Sequence, residues 1–132
     1  MDLEILKIAS NTSNIKVLKD YTHHSRFKNK LCGDVIDIYL KIYDGKIKDV
    51  SYKSNSCSYC IASANLLSKN IKNKDLKIIR TLLKQFVEFF DKDFLKIPSQ
   101  LIKFKKLLLK KNFQRKECIK LPFRALEKAI SE

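Results

Sequence analysis

A chain of 132 residues with 45% hydrophobic and 32% charged side chains has material for one domain with a buried core and a solvated surface, and excludes a disordered polyelectrolyte. No run of 18 apolar residues is present, which excludes a transmembrane helix, while a formal charge of +14 raises the question of an acidic partner. The start Met1-Asp2-Leu3-Glu4 is acidic where a secretory signal is basic, so the protein is expected to be cytoplasmic, with no membrane partner and its four cysteines reduced.

Leu3, Ile5, Leu6, Ile8 and Ala9 predict a short amphipathic helix, ended by the polar run Ser10 to Asn14. Asp20 to Asn29 reads as an edge strand with Tyr21, His23, Ser25 and Phe27 on one parity. The adjacent His23 and His24 would then point to opposite faces, which argues against one shared metal and for exposed polar residues. From Val35 the alternation is clear: Ile36, Ile38, Leu40 and Ile42 share one face and Asp37, Tyr39, Lys41 and Tyr43 the other. Asp44-Gly45 supplies a hairpin turn, and Lys46 to Lys53 returns as the partner strand, with a bulge expected where the parity shifts between Ile47 and Val50.

Beyond the loop residues Ser54-Asn55-Ser56 the text becomes helical through Ile61 to Leu67. Asp75 is expected to cap a helix whose stripe is Leu76, Ile79, Leu82, Leu83, Phe86, Val87 and Phe90, broken at Asp91-Lys92-Asp93. Ser99 is expected to cap a helix bearing Leu101, Phe104 and Leu108, and Leu121-Pro122 to start a last one with Phe123, Leu126 and Ile130 facing inward. One helix, a small three-stranded antiparallel sheet and then helices packed on it make an α+β fold, a single domain over residues 1–132.

The basic excess is uneven. Residues 1–65 carry 10 basic and 7 acidic side chains, residues 66–132 carry 18 and 7. Most of it is lysine in helical text without interleaved aromatics or a nucleic-acid motif, so solvated helix faces are the plainer reading and nucleic acid is not the expected partner.

The cysteines carry the chemistry. Cys32 and Asp34 flank Gly33 at the entrance to the strand, where the backbone can turn closely and both side chains can reach one point. Cys57, 25 residues after Cys32, stands where a helix begins, and the free amides and dipole there favour a thiolate. Cys118, 61 residues further on, is expected just before the last helix, with Arg115 three residues earlier to settle its charge. Three thiolates and a carboxylate suit tetrahedral zinc, and the same set can hold iron bound to sulfide. Such separations rule out a local zinc knuckle, so the fold must assemble the four; spacing alone also allows unrelated buried cysteines.

The stretch Asn29-Lys30-Leu31-Cys32-Gly33-Asp34-Val35-Ile36-Asp37, followed by Asp44-Gly45-Lys46-Ile47 and then by Cys57 and Ile61-Ala62-Ser63-Ala64-Asn65, closely resembles the iron–sulfur cluster scaffold family of IscU, SufU and the N-terminal domain of NifU. The resemblance covers about residues 25–132 and implies that Cys118 is the third family cysteine. Within the family the chain is similar to the SufU type. Glu117 stands where IscU-type members have a histidine, Asn112-Phe113-Gln114-Arg115 replaces their Leu-Pro-Pro-Val-Lys motif, and Arg115 and the long interval from Cys57 match SufU-like members.

The resemblance implies a scaffold or zinc-dependent sulfurtransferase that takes persulfide sulfur from a cysteine desulfurase at Cys118, supported by Arg115. Zinc or an iron–sulfur cluster would be held by Cys32, Asp34, Cys57 and Cys118, and apo iron–sulfur proteins would be the acceptors. Cys60 departs from the pattern; Cys57-Ser58-Tyr59-Cys60 makes it a candidate additional ligand or resolving thiol, or a residue packed in the helix. The alternative function is a structural zinc protein whose basic surface binds nucleic acid or an acidic protein.

Overall fold

The structure, a computed structural model, describes residues 2–31, 33–91 and 96–131. In chain order its regular elements are α1 (Leu3–Ala9), β1 (His23–Lys28), β2 (Val35–Tyr43), β3 (Lys46–Asn55), α2 (Ser58–Ile71), α3 (Leu76–Asp91), two 3₁₀ helices (Ser99–Phe104 and Lys110–Arg115) and α4 (Lys116–Ile130). The strands form one antiparallel sheet in the order β1-β2-β3, as the alternation predicts, and the helices pack on it in an α+β arrangement.

Asp44 (φ 54°) and Gly45 (φ 72°) both take the left-handed backbone that a two-residue hairpin turn demands. The expected bulge is present. Lys41 pairs with Asp49 but Ile42 pairs with Ile47, so Lys48 is the extra residue, and the shift lets Ile47 and Val50 both be buried. The outer edge of β3 is covered by residues 14–16: the Tyr52 amide donates to the Asn14 carbonyl at 2.9 Å, and the Lys16 amide to the Tyr52 carbonyl at 3.1 Å. Such cover blunts an edge that would otherwise invite pairing with another chain.

Ile36, Ile38, Leu40 and Tyr52 of the sheet are buried with Leu67, Phe86, Phe123 and Leu126 of the helices. The Ser25 hydroxyl donates to the Ala125 carbonyl at 2.5 Å and ties β1 to α4; that of Ser63 donates to the Ile119 carbonyl at 2.6 Å and ties α2 to α4. Phe86 stacks on Phe123 (centroids 3.5 Å apart) and meets Phe90 and Phe104 edge-on, welding α3 to α4.

Four local expectations change. The last helix begins at Lys116, so Pro122 lies inside it; the missing proline N–H removes only the bond to the Cys118 carbonyl, and a densely buried helix tolerates that loss. The segment after Pro98 forms 3₁₀ helices rather than one α-helix. Its buried Leu101, Phe104 and Leu107 recur every third residue, the 3₁₀ period, and the first of these helices is capped by Pro98 rather than Ser99. Asp75 meets the start of α3 through its carbonyl, which accepts from the Ile79 amide at 3.1 Å. The histidines are half-buried rather than exposed: His24 Nε2 lies 2.9 Å from Asp37 Oδ1 with its ring stacked on Tyr39, and His23 Nδ1 lies 2.8 Å from the Thr22 hydroxyl. The expected break at 91–93 falls partly outside the described residues, since α3 runs through Asp91 and residues 92–95 are not described. Among the described residues no helix is long and apolar enough to cross a membrane.

Candidate metal centre

Three parts of the fold meet at the open end of the β2–β3 pair, where Val35 faces Asn55. The first is the loop entering β2. Asn29 folds it: its side-chain oxygen accepts from the Leu31 amide at 3.0 Å, its carbonyl from the Gly33 amide at 2.8 Å, and its own amide donates to the Asp34 carbonyl at 2.8 Å. Gly33 has φ +77°, and an added Cβ would meet nothing within 4 Å, so glycine is required there by backbone conformation rather than by space. The turn delivers the Asp34 carboxylate.

The second part is the start of α2. Cys57 occupies the N-cap with extended backbone, its side chain makes no cap bond, and its amide donates to Asp34 Oδ2 at 3.2 Å. The carboxylate thus accepts a helix-start donor while the thiol is left for other partners. The third part is the first turn of α4, which carries Cys118 inside the helix rather than before it. One carboxylate oxygen of Asp34 and the sulfurs of Cys57 and Cys118 all lie within 4.8 Å of one another. Cys118 is buried and forms the floor, whereas Asp34 and Cys57 are half-buried. Cys32 lies outside the described residues.

The donor set fits zinc or iron. Ligands 2.0–2.3 Å from one tetrahedral ion stand about 3.3–3.8 Å apart, so the three donors need only small side-chain rotations to share one. Hard oxygen beside soft sulfur is also a mixture zinc accepts.

Cys60 is different. Three residues into the same helix turn, it is fully buried and does not join the three-donor group. Burial pushes its thiol up to about 12; the negative charges of Cys57 and Asp34 push the same way, and bonds with the Ser56 and Ser54 hydroxyls oppose it only in part. Those two hydroxyls are bonded to each other, and Ser54 also donates to the Val35 carbonyl at 3.0 Å. Cys60 is therefore a neutral thiol at pH 7, packed beside the Ser54 and Ser56 hydroxyls.

Arg115 precedes α4, and its guanidinium lies over the Tyr59 ring, 5.6 Å from the centroid. This cation–π contact joins the starts of the two helices that carry Cys57 and Cys118. Glu117 is taken by Lys120 at 3.2 Å and Arg124 at 3.5 Å, and Lys120 is buried with its ammonium over Phe90. Tyr59, Ser54 and Ser56 have no recognisable spacing in the linear text; only the fold brings them beside the cysteines.

Residues 2–132 match the model of the NifU-like N terminal domain family. The chain belongs to that family. An iron–sulfur cluster assembly scaffold protein IscU of Thermotoga maritima is 33% identical over 61% of this chain and 57% of its own length. The zinc-dependent sulfurtransferase SufU of Bacillus subtilis is 27% identical over 79% of this chain and 71% of its own. Two IscU proteins of Archaeoglobus fulgidus are each matched over only 44% of their length, so the chain spans about half of several curated relatives. Among solved structures, FiSufU, the SUF-system scaffold candidate of Fervidobacterium islandicum, has a TM-score of 0.88 at 22% identity, covering 98% of this chain and 96% of that one. The N-terminal NifU-like protein of Brucella abortus has 0.82 at 21% identity, covering 98% and 91%. These two likenesses establish the family fold.

Proposed function

We propose that this family member is a sulfur-handling scaffold. Cys32, Asp34, Cys57 and Cys118 hold zinc or a nascent iron–sulfur cluster, and Cys118 receives sulfur from a cysteine desulfurase. The observation that carries the reading is the convergence of Asp34, Cys57 and Cys118 from a loop and two helix starts. The names of the relatives supply the chemistry: scaffold for the IscU proteins, zinc-dependent sulfur transfer for SufU. A cytoplasmic setting, where thiols stay reduced, suits an acceptor of this kind.

The transfer step is redox-neutral. The Cys118 thiolate attacks the terminal sulfur of the donor's persulfide, the donor S–S bond breaks, and the donor leaves as a thiolate while Cys118 becomes the persulfide. Zinc, when bound, stabilises the neighbouring thiols in their deprotonated form. Asp34 orients the Cys57 end of the site through the amide bond, and its oxygen is the more exchangeable donor among sulfurs. Cys118 is 6% exposed, so sulfur delivery requires its surroundings to open locally. Arg115, at the start of α4 and over the Tyr59 ring, is the supporting cation for the Cys118 thiolate. Apo iron–sulfur proteins would take the product.

The test is anaerobic incubation with a cysteine desulfurase and cysteine, followed by peptide mass spectrometry and by metal and acid-labile sulfide analysis. One added sulfur should appear on the Cys118 peptide and disappear in Cys118→Ser. Sulfur found first on Cys57, or on no cysteine, would reject Cys118 as the acceptor. Zinc without sulfide assigns transfer, and iron with sulfide assigns scaffolding.

A further inference from the structure

The stripe of α3 is wider than the core uses. Ile79, Leu83, Phe86, Phe89 and Phe90 are buried, but Ile78 is 57% exposed and Leu82, one turn later, is only half-buried. Residues four apart lie on one helix face, so these two form a second apolar row beside the first. They open onto a groove of about 450 Å³ between α3 and the 3₁₀ helix Ser99–Phe104, with Phe104 also lining it. A cleft of this size with mainly apolar walls is in the range that binds other molecules.

Charge narrows the occupant. Lys74, Lys77 and Lys103 rim the groove, no acidic side chain among the described residues lines it, and among the described ion pairs none involves these three lysines. By contrast Lys72, just outside, is already paired with Asp49 at 3.5 Å.

Position matters as well. The start of α3 is pinned to the hairpin turn: the Leu76 amide donates to the Gly45 carbonyl at 2.9 Å, and the Ile47 amide to the Lys74 carbonyl at 3.1 Å. Asp34 and Cys57 lie at the opposite end of β2, a nine-residue strand about 30 Å long. A protein seated in the groove would leave the cysteines free.

We propose that this groove docks an acidic amphipathic helix of another protein, with aliphatic side chains against Ile78, Leu82 and Phe104 and carboxylates on Lys74, Lys77 and Lys103. The arrangement is the helix-in-groove mode, with the apolar row giving the anchor and the lysines the register. The proposal is independent of whether zinc or a cluster occupies the cysteine site.

The probe is a short synthetic helix with leucines on one stripe flanked by glutamates, titrated into the isotope-labelled full chain and followed by amide chemical shifts. Shifts should be confined to residues around Lys74 to Gln85 and Gln100 to Phe104, with the amides of Asp34 and Cys57 unmoved. Ile78→Ser should weaken binding about tenfold, the size expected for losing one apolar anchor. The exposed pair Lys77→Glu with Lys103→Glu should weaken it by about tenfold or more and invert its salt dependence; both variants replace exposed side chains, so the fold is kept. Equal binding of a helix with lysines in place of the glutamates would overturn the proposal. So would shifts elsewhere, groove resonances that move with protein concentration alone, which would mean a second copy, or tighter occupation of the groove by a single-stranded RNA oligonucleotide.

Discussion

The two ends of the sheet do different things with the same kind of scaffold. At the open end, where Val35 faces Asn55, a loop and two helix starts bring one carboxylate and two sulfurs within 4.8 Å. At the hairpin end, the start of α3 is held to the turn, and the groove beside it is lined by aliphatic carbon and lysines. Helix starts leave amides and a positive dipole end unpaired, which suits anionic ligands; a helix flank offers area without chemistry. The contrast teaches that this chain separates a small reactive site from a broad contact surface, with the aromatic weld between α3 and α4 linking them.

Breaking the weld should damage both ends. Phe86→Ala removes a fully buried ring from the Phe86–Phe123 stack, and about 3–5 kcal/mol of stability should be lost in chemical denaturation. A loss under about 1 kcal/mol would mean that α3 and α4 are not coupled through this ring.

Removing a sulfur should damage one end alone. Cys118→Ser should lower zinc affinity by about 100-fold or more in chelator competition, since one ligand of the site is lost, while peptide binding in the α3 groove is unchanged. Retained affinity would remove Cys118 from the ligand set.

Asp34→Ala probes the same end more gently. It removes the oxygen donor and the acceptor for the Cys57 amide but leaves the thiols, and release of metal or cluster to a chelator should slow roughly tenfold. Faster release would show that losing this ligand weakens the site more than it slows exchange.

Cys60→Ser should be the mildest change. Ser54 and Ser56 already offer hydroxyl partners, so the cost should be about 1 kcal/mol with metal content intact. Changed metal content in a folded protein would make Cys60 a ligand. The sign of the alkaline effect follows from burial: Cys60 and Tyr52 are both held neutral up to about 12, whereas in the unfolded chain they ionise from about pH 9 and 10. The unfolded state sheds these protons first, so stability should fall as pH rises from about 9 to 12, and Cys60→Ser should flatten the lower part of that fall.

Much of this was readable in the text because it depends on period and on single special residues. The alternation of 36 to 42, the Asp44-Gly45 turn and the parity shift after Ile47 fix the hairpin and its bulge without help from the rest of the chain. Cys57 at the head of a helix was equally plain. The start of α4 was not, because Pro122 imitates a first-turn proline, and only the packing that buries Leu121, Pro122 and Phe123 shows why the helix continues through it. The 3₁₀ helices were hidden in the same way, since a three-residue apolar period overlaps the helical one over a single turn. That Asp34 and Cys118 meet Cys57 was carried by family resemblance rather than by spacing, because contacts 23 and 61 residues apart leave no local trace. The Arg115–Tyr59 contact and the placement of the Ser54 and Ser56 hydroxyls beside Cys60 exist only in three dimensions.

One ion is expected to be held by the carboxylate of Asp34 together with the sulfurs of Cys32, Cys57 and Cys118. Zinc K-edge X-ray absorption on the zinc-loaded full chain reads that set directly. Three sulfur neighbours at about 2.3 Å and one oxygen at about 2.0–2.2 Å are expected. Four sulfurs, which would bring in Cys60, or two sulfurs with added oxygen or nitrogen, would contradict this ligand set.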